Sequence, residues 1–133
     1  MTYTLSARSL ERLEGVHPDL LRVVKRAISI STIDFTVLEG LRTLARQKQY
    51  VEQGASKTLK SRHLTGHAVD LAPLLDTDRD GDKEVSWAWP QYHLLAKVIK
   101  EAAKIEKVPV EWGGDWRTFK DGPHWQLPHK LYP

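Results

Sequence analysis

Apolar residues recur along this chain in two rhythms. Between Pro18 and Ser31, Leu21, Val24 and Ile28 fall three and four apart, the spacing of one helical face. His17-Pro18 opens that helix, since proline suits a first helical turn. A shorter helix is expected from Ser6, a good capping residue, with Leu10 and Leu13 three apart and Gly15 as its stop. Trp89-Pro90 starts a third, whose stripe is Leu95, Val98, Ile99 and Ala102, with Lys97, Lys100 and Lys104 on the solvated side. Alternation takes over elsewhere. Phe35 and Val37 flank Thr36 within 34–41, and His67 to Leu71, Val108 to Trp112 and His124 to Leu127 read as further strands. One more helix follows Gly40 to Gln47 and closes around Gly54. The order predicts an α+β fold: a single domain over residues 1–133 in which a small, largely antiparallel sheet is flanked by helices.

Composition narrows the class. At 133 residues the chain can bury about two-thirds of its unfolded surface in one core. Hydrophobic residues at 41% and charged ones at 28% are ordinary for a water-soluble domain. With no cysteine, disulfides are excluded, and any metal must rest on histidine and carboxylate ligands. The start, Met1 to Arg8, has no basic leader followed by an apolar core, so neither a signal peptide nor a membrane anchor is expected. No apolar run approaches the roughly 20 residues of a spanning helix.

The net charge of +3 is unevenly spread. Residues 76–84 hold five acids and two bases, which leaves 18 bases against 12 acids elsewhere. A basic body favours polyanions such as cell-wall polymers, lipopolysaccharide or nucleic acid, and charge alone does not choose among them. The acidic stretch has calcium-loop spacing, with Asp76, Asp78, Asp80, Asp82 and Glu84 as candidate ligands around Gly81. Position 12 of that loop is Trp87 rather than a bidentate glutamate, so the alternative is a solvated acidic turn.

The chemistry concentrates in Ser61-Arg62-His63-Leu64-Thr65-Gly66-His67-Ala68-Val69-Asp70. His63 and Asp70 are both zinc-ligand types, and an open catalytic zinc site takes three protein ligands. The other dense cluster of His, Trp and Asp, 115–125, supplies His124 as the third and Asp121 as a spare carboxylate three residues earlier. His67 competes for the first position. On a strand, however, Ala68 and Asp70 share one face and His67 the opposite one, so His63 is preferred, contributed from the turn before the strand. Asp70 between Val69 and Leu71 is the telling residue, because a buried carboxylate is costly unless a cation or donor compensates it.

These residues resemble a known family. Ser61, His63, Gly66, Ala68 and Asp70 at their spacing are similar to the signature of zinc D-Ala-D-Ala carboxypeptidases and dipeptidases. Trp112-Gly113-Gly114-Asp115-Trp116 and Asp121-Gly122-Pro123-His124-Trp125 resemble the phage L-alanyl-D-glutamate endopeptidases of that superfamily. So do Gly40 to Gln47 and Gly54 to Thr58, and the likeness runs from about Phe35 to Leu127. The resemblance implies the hedgehog/D-Ala-D-Ala peptidase fold, Zn2+ on His63, Asp70 and His124, and Asp121 as general base. It implies that Arg42 faces the substrate carbonyl and that Ser61 supports the substrate or the ligand loop. Trp116 is a candidate substrate platform, while Trp112 is expected in the core. Trp125-Gln126 departs from the Phe-Glu usual in the group, which bears on local packing and substrate contacts.

The implied activity is hydrolysis of the L-Ala–D-Glu bond of peptidoglycan stem peptides by a monomeric phage endolysin without a separate wall-binding domain. It would rest in the host cytoplasm until a separate membrane-permeabilising protein, a holin, lets it reach the periplasm and wall. Ca2+ in the acidic loop could then gate activity on release. Two readings compete: a D,D-carboxypeptidase trimming terminal D-Ala, and a non-catalytic zinc-bearing binding module. The missing export signal weighs against the first and Asp121 against the second; nucleic acid and stable membrane insertion are not expected.

Overall fold

The computed structural model describes residues 3–56, 58–76 and 81–133. In chain order the elements are α1 (Ala7–Arg12), α2 (Pro18–Ile30), β1 (Asp34–Glu39), α3 (Leu44–Glu52), β2 (Ala68–Leu75), β3 (Glu84–Val85), α4 (Trp89–Glu106), β4 (Glu111–Trp112) and β5 (His124–Gln126). Two short 3-10 turns, Arg62–Thr65 and Gly113–Asp115, precede β2 and follow β4. The strand order is β1-β2-β5-β4, with β3 added to β2, and every described pairing is antiparallel. The α+β expectation stands.

Helix α2 is capped by His17, whose Nδ1 accepts the Asp19 N–H at 3.1 Å, and it buries Leu20, Val23, Val24, Ala27 and Ile28. It packs against α4, which contributes Leu95, Ala96, Ile99 and Ala102 and also touches β2. Val69 and Leu71 of β2 and Phe35 and Val37 of β1 complete this core together with Trp125, all at most 2% exposed. Burying a Leu, Ile or Phe side chain in such a core contributes about 1.5–3 kcal/mol.

Four local readings change. Leu10 is 48% exposed; α1 docks on β1 through the fully buried Ser9, whose hydroxyl accepts the Val37 N–H at 3.0 Å. A hydroxyl satisfying a strand N–H decides that helix's orientation better than one leucine does. Residues 108–110 fall outside β4, because pairing with β5 reaches only Glu111 and Trp112. Two-residue β3 carries no alternation long enough to be read from sequence. Lys100 is more than solvated: it pairs with Asp115 at 2.8 Å and lies over the Trp112 ring at 5.4 Å.

Candidate active site and metal centre

The centre of the site is set by strand register. Asp70 pairs across β2 and β5 with His124, and across β1 and β2 with Glu39, just after a bulge in β1. Directly opposed residues on antiparallel strands have side chains about 5 Å apart, so register alone brings Asp70 and His124 together. Their atoms Oδ1 and Nδ1 stand 3.4 Å apart.

His63 arrives from the 3-10 turn before β2. Ser61 caps that turn, its Oγ accepting the His63 N–H at 3.2 Å, and Gly66 ends it at φ +76°, a conformation that favours glycine. A Cβ on Gly66 would stand 2.3 Å from the Gly15 carbonyl oxygen, so the turn is also pressed against the α1–α2 connection. The His63 Nδ1 lies 2.8 Å from the Gly40 carbonyl oxygen. A carbonyl only accepts, so Nδ1 donates to it, and Nε2 is the nitrogen facing Asp70 Oδ1 at 3.2 Å: unprotonated it is a metal ligand, protonated it donates to the carboxylate. His124 is pinned in the complementary way: Nε2 meets Gln126 Oε1 at 2.8 Å, which leaves Nδ1 facing Asp70. Orienting each imidazole through its second nitrogen is how metal-binding histidines are held.

One ligand atom from each of His63, Asp70 and His124 lies within 4.8 Å of the others. Two imidazole lone pairs and a largely buried carboxylate fit a divalent metal with N/O preference, so the group can hold a metal ion. Burial by itself would raise the Asp70 pKa, but hydrogen bonds from His124 and His63 outweigh it and hold the carboxyl well below its usual range. For His124, burial pulls down, and the Asp70 hydrogen bond and charge overcome it, leaving the imidazole more basic than usual.

Asp121 shares the turn that delivers His124. Its carbonyl accepts the His124 N–H at 3.3 Å, its N–H donates to Gly113 O at 3.1 Å, and Trp112 Nε1 donates to Gly122 O at 2.7 Å. Burial, then the nearby Asp70 charge, pushes the Asp121 pKa upward. The carboxylate lines the same cleft as the three ligands, a cavity of about 810 Å³, without belonging to the metal group. Arg42 enters from the β1–α3 connection. Its guanidinium binds Glu39, donates to Gln47 Oε1 at 2.6 Å and lies 3.7 Å from Asp70 Oδ2. Trp116, half-buried, packs 5.1 Å from the His124 ring on the opposite flank.

The model of the phage L-alanyl-D-glutamate peptidase family matches residues 1–126. The chain belongs to that family. It is 33% identical over 125 residues to the L-alanyl-D-glutamate peptidase of Escherichia phage T5, covering 91% of this chain and 87% of that one. It is 31% identical to the L-alanyl-D-glutamate peptidase of Listeria phage A118, where 99% of this chain matches 45% of a longer protein. Among solved structures, the Serratia marcescens L-Ala D-Glu endopeptidase ChiX superposes with a TM-score of 0.86 at 49% identity, covering 98% of this chain and 94% of that one. The chain is therefore a peptidase.

In this peptidase the structure brings together His63, Asp70, His124, Asp121, Arg42, Ser61 and Trp116 around one cleft. His67 points elsewhere, its Nδ1 2.6 Å from Thr65 Oγ1 and its ring 5.4 Å from that of His17. Ser61 supports the ligand turn, and Arg42 lies 3.5 Å from its hydroxyl. Sequence reasoning missed Glu39 and Tyr50. Glu39 sits where β1 ends on the bulge, and the Tyr50 ring lies under Arg42 at 4.6 Å. Of the acids offered for calcium, Asp78 and Asp80 lie outside the described residues. Asp76 accepts the Gly81 N–H at 2.9 Å and Glu84 begins β3, while Asp82 follows Gly81.

Proposed function

We propose that this peptidase hydrolyses the L-Ala–D-Glu bond of peptidoglycan stem peptides using one zinc ion held by His63, Asp70 and His124. The observation that carries the reading is a carboxylate, Asp121, in the same cleft as three convergent ligand atoms yet outside their group. A site meant only to hold metal needs no such neighbour. When bound, zinc supplies a Lewis acid that polarises a carbonyl and makes water more acidic. Asp121 then accepts the proton of the attacking water and passes it to the leaving nitrogen, and its raised pKa suits both halves of that transfer. Arg42, fixed by Glu39 and Gln47, presents a positive charge to the developing oxyanion. Trp116 forms the apolar wall beside His124.

The physiological role that follows is a phage endolysin. It waits in the host cytoplasm until a separate membrane-permeabilising protein opens the way to the wall. A D,D-carboxypeptidase role is the second reading, and the bond cut decides between them. Mass spectrometry of digested peptidoglycan is expected to show a free D-glutamate amine, whereas D-alanine as sole product would sink the endopeptidase assignment. Asp121→Asn is expected to fold, keep one zinc per chain and lose at least ~100-fold in turnover. Lysis at the parent rate with zinc retained would remove Asp121 from the mechanism.

A further inference from the structure

The substrate proposed above carries a charge beside the bond that is cut. Glutamate has two carboxyl groups, and its amine is the leaving group. Whichever carboxyl continues the stem, the other stays a free carboxylate a few bonds from the scissile nitrogen. It must enter a cleft already lined by Asp70 and Asp121, and like charges a few ångströms apart in a partly dry site repel strongly. The zinc proposed above offsets those two carboxylates, so the additional carboxylate calls for a cation of its own.

Apart from the two histidines, three described side chains lining the cleft are cationic: Arg42, Lys60 and Arg62. Arg42, held by Glu39, Gln47 and Asp70 over Tyr50, already serves the oxyanion in the reading above. Arg62 is turned toward the chain end, donating to Leu127 O at 3.1 Å and Tyr132 O at 2.5 Å. Lys60 remains. It is exposed at the rim, and no acid among the described residues pairs with its ammonium. Its backbone is held by the Lys60 N–H donating to Thr58 Oγ1 at 3.0 Å, three residues before His63. The hydroxyls of Ser56, Thr58 and Ser61 line the same flank, while Trp116 and Phe119 belong to the chain segment beside His124. One flank suits a charged residue and the other an alanine methyl.

We propose that Lys60 is a specificity-determining residue whose ammonium pairs with the free carboxylate of the D-glutamate residue, which makes the His63 flank the leaving-group side. This rests on the functional reading above. The test uses two synthetic stem peptides that differ only in that carboxyl, present as carboxylate or as primary carboxamide. The parent enzyme is expected to prefer the carboxylate in kcat/KM by about 2- to 5-fold, the scale of an exposed ion pair. Lys60→Gln should bring the ratio to near one, chiefly through KM, because binding lost equally from ground and transition states leaves kcat alone. Lys60→Arg should keep the preference and Lys60→Glu reverse it. A parent without preference, or a Lys60→Gln enzyme with the parent's ratio, overturns the role of Lys60 while leaving the activity in place. A parent that cuts both peptides at a bond other than L-Ala–D-Glu overturns the functional reading, and this inference with it.

Discussion

Tyr92 sits beneath the Asp121–His124 turn with its ring against Gly122, and its hydroxyl is buried without a hydrogen-bond partner among the described residues. Burial, then the charges of Asp121 and Asp70, pushes its pKa up to about 12, so it stays neutral. An unsatisfied buried hydroxyl costs about 1–3 kcal/mol, while the ring's packing is unaffected by removing the oxygen. Tyr92→Phe is therefore expected to raise stability by about 1 kcal/mol, read as a higher midpoint in urea. A lower midpoint would mean that the hydroxyl is satisfied in solution. The contrast with Asp70 is instructive: that carboxylate is only 19% exposed, yet two imidazoles and Arg42 surround it. Burial of a polar group at this site is tolerated where donors converge.

At the scale of elements, the turn between β4 and β5 is built on close approach. A Cβ on Gly113 would stand 2.4 Å from Asp121 O and 3.1 Å from the His124 Cβ. Gly113→Ala must therefore displace the Asp121–His124 turn. Displacing catalytic groups by about 1 Å costs on the order of 100-fold, and that loss in kcat/KM is expected with the fold retained by circular dichroism. Gly54→Ala is the control. Gly54 has φ +76° but open space around it, so that change should cost about 1 kcal/mol of stability and leave kcat/KM unaltered. Activity equal to the parent's in Gly113→Ala would show that the turn adapts. The two glycines could not be ranked from sequence, since nothing local distinguishes a glycine needed for its backbone angle from one needed for missing bulk.

For the whole molecule, the site couples metal, protons and stability. In the metal-free chain Asp70 has a lowered pKa, so its stabilisation holds above the ordinary carboxylate range and is lost only far into acid. His124 has a raised pKa, so its contribution is complete below about pH 6.5 and is lost as pH rises through the folded value. Asp121, also raised, works in the same direction, because its charged form is disfavoured in the fold. Chelated protein is thus expected to melt lower at pH 8 than at pH 6. Metal needs the imidazoles unprotonated, so the increase in Tm on adding zinc should grow over the same interval. A chelated protein whose Tm rises from pH 6 to pH 8 would contradict this assignment of charges.

Much of this was written in local pattern. The amphipathic stripe of α2, the alternation of β1, and the His63, Asp70, Asp121 and His124 set follow from residue type and spacing, because periodicity reports which side of an element is buried. The family likeness supplied the roles offered for Arg42 and Ser61. Tertiary structure decided the rest. Strand register set Asp70 opposite His124, and Gly40 and Gln126 chose which imidazole nitrogen faces the metal site. It also committed Arg42 and Arg62 to partners, leaving Lys60 at the cleft with no acidic partner among the described residues. The register, the Gly40 contact and the Arg62 contacts join residues 23 to 70 positions apart, and local sequence carries no record of which distant carbonyl or carboxylate will arrive beside a given side chain.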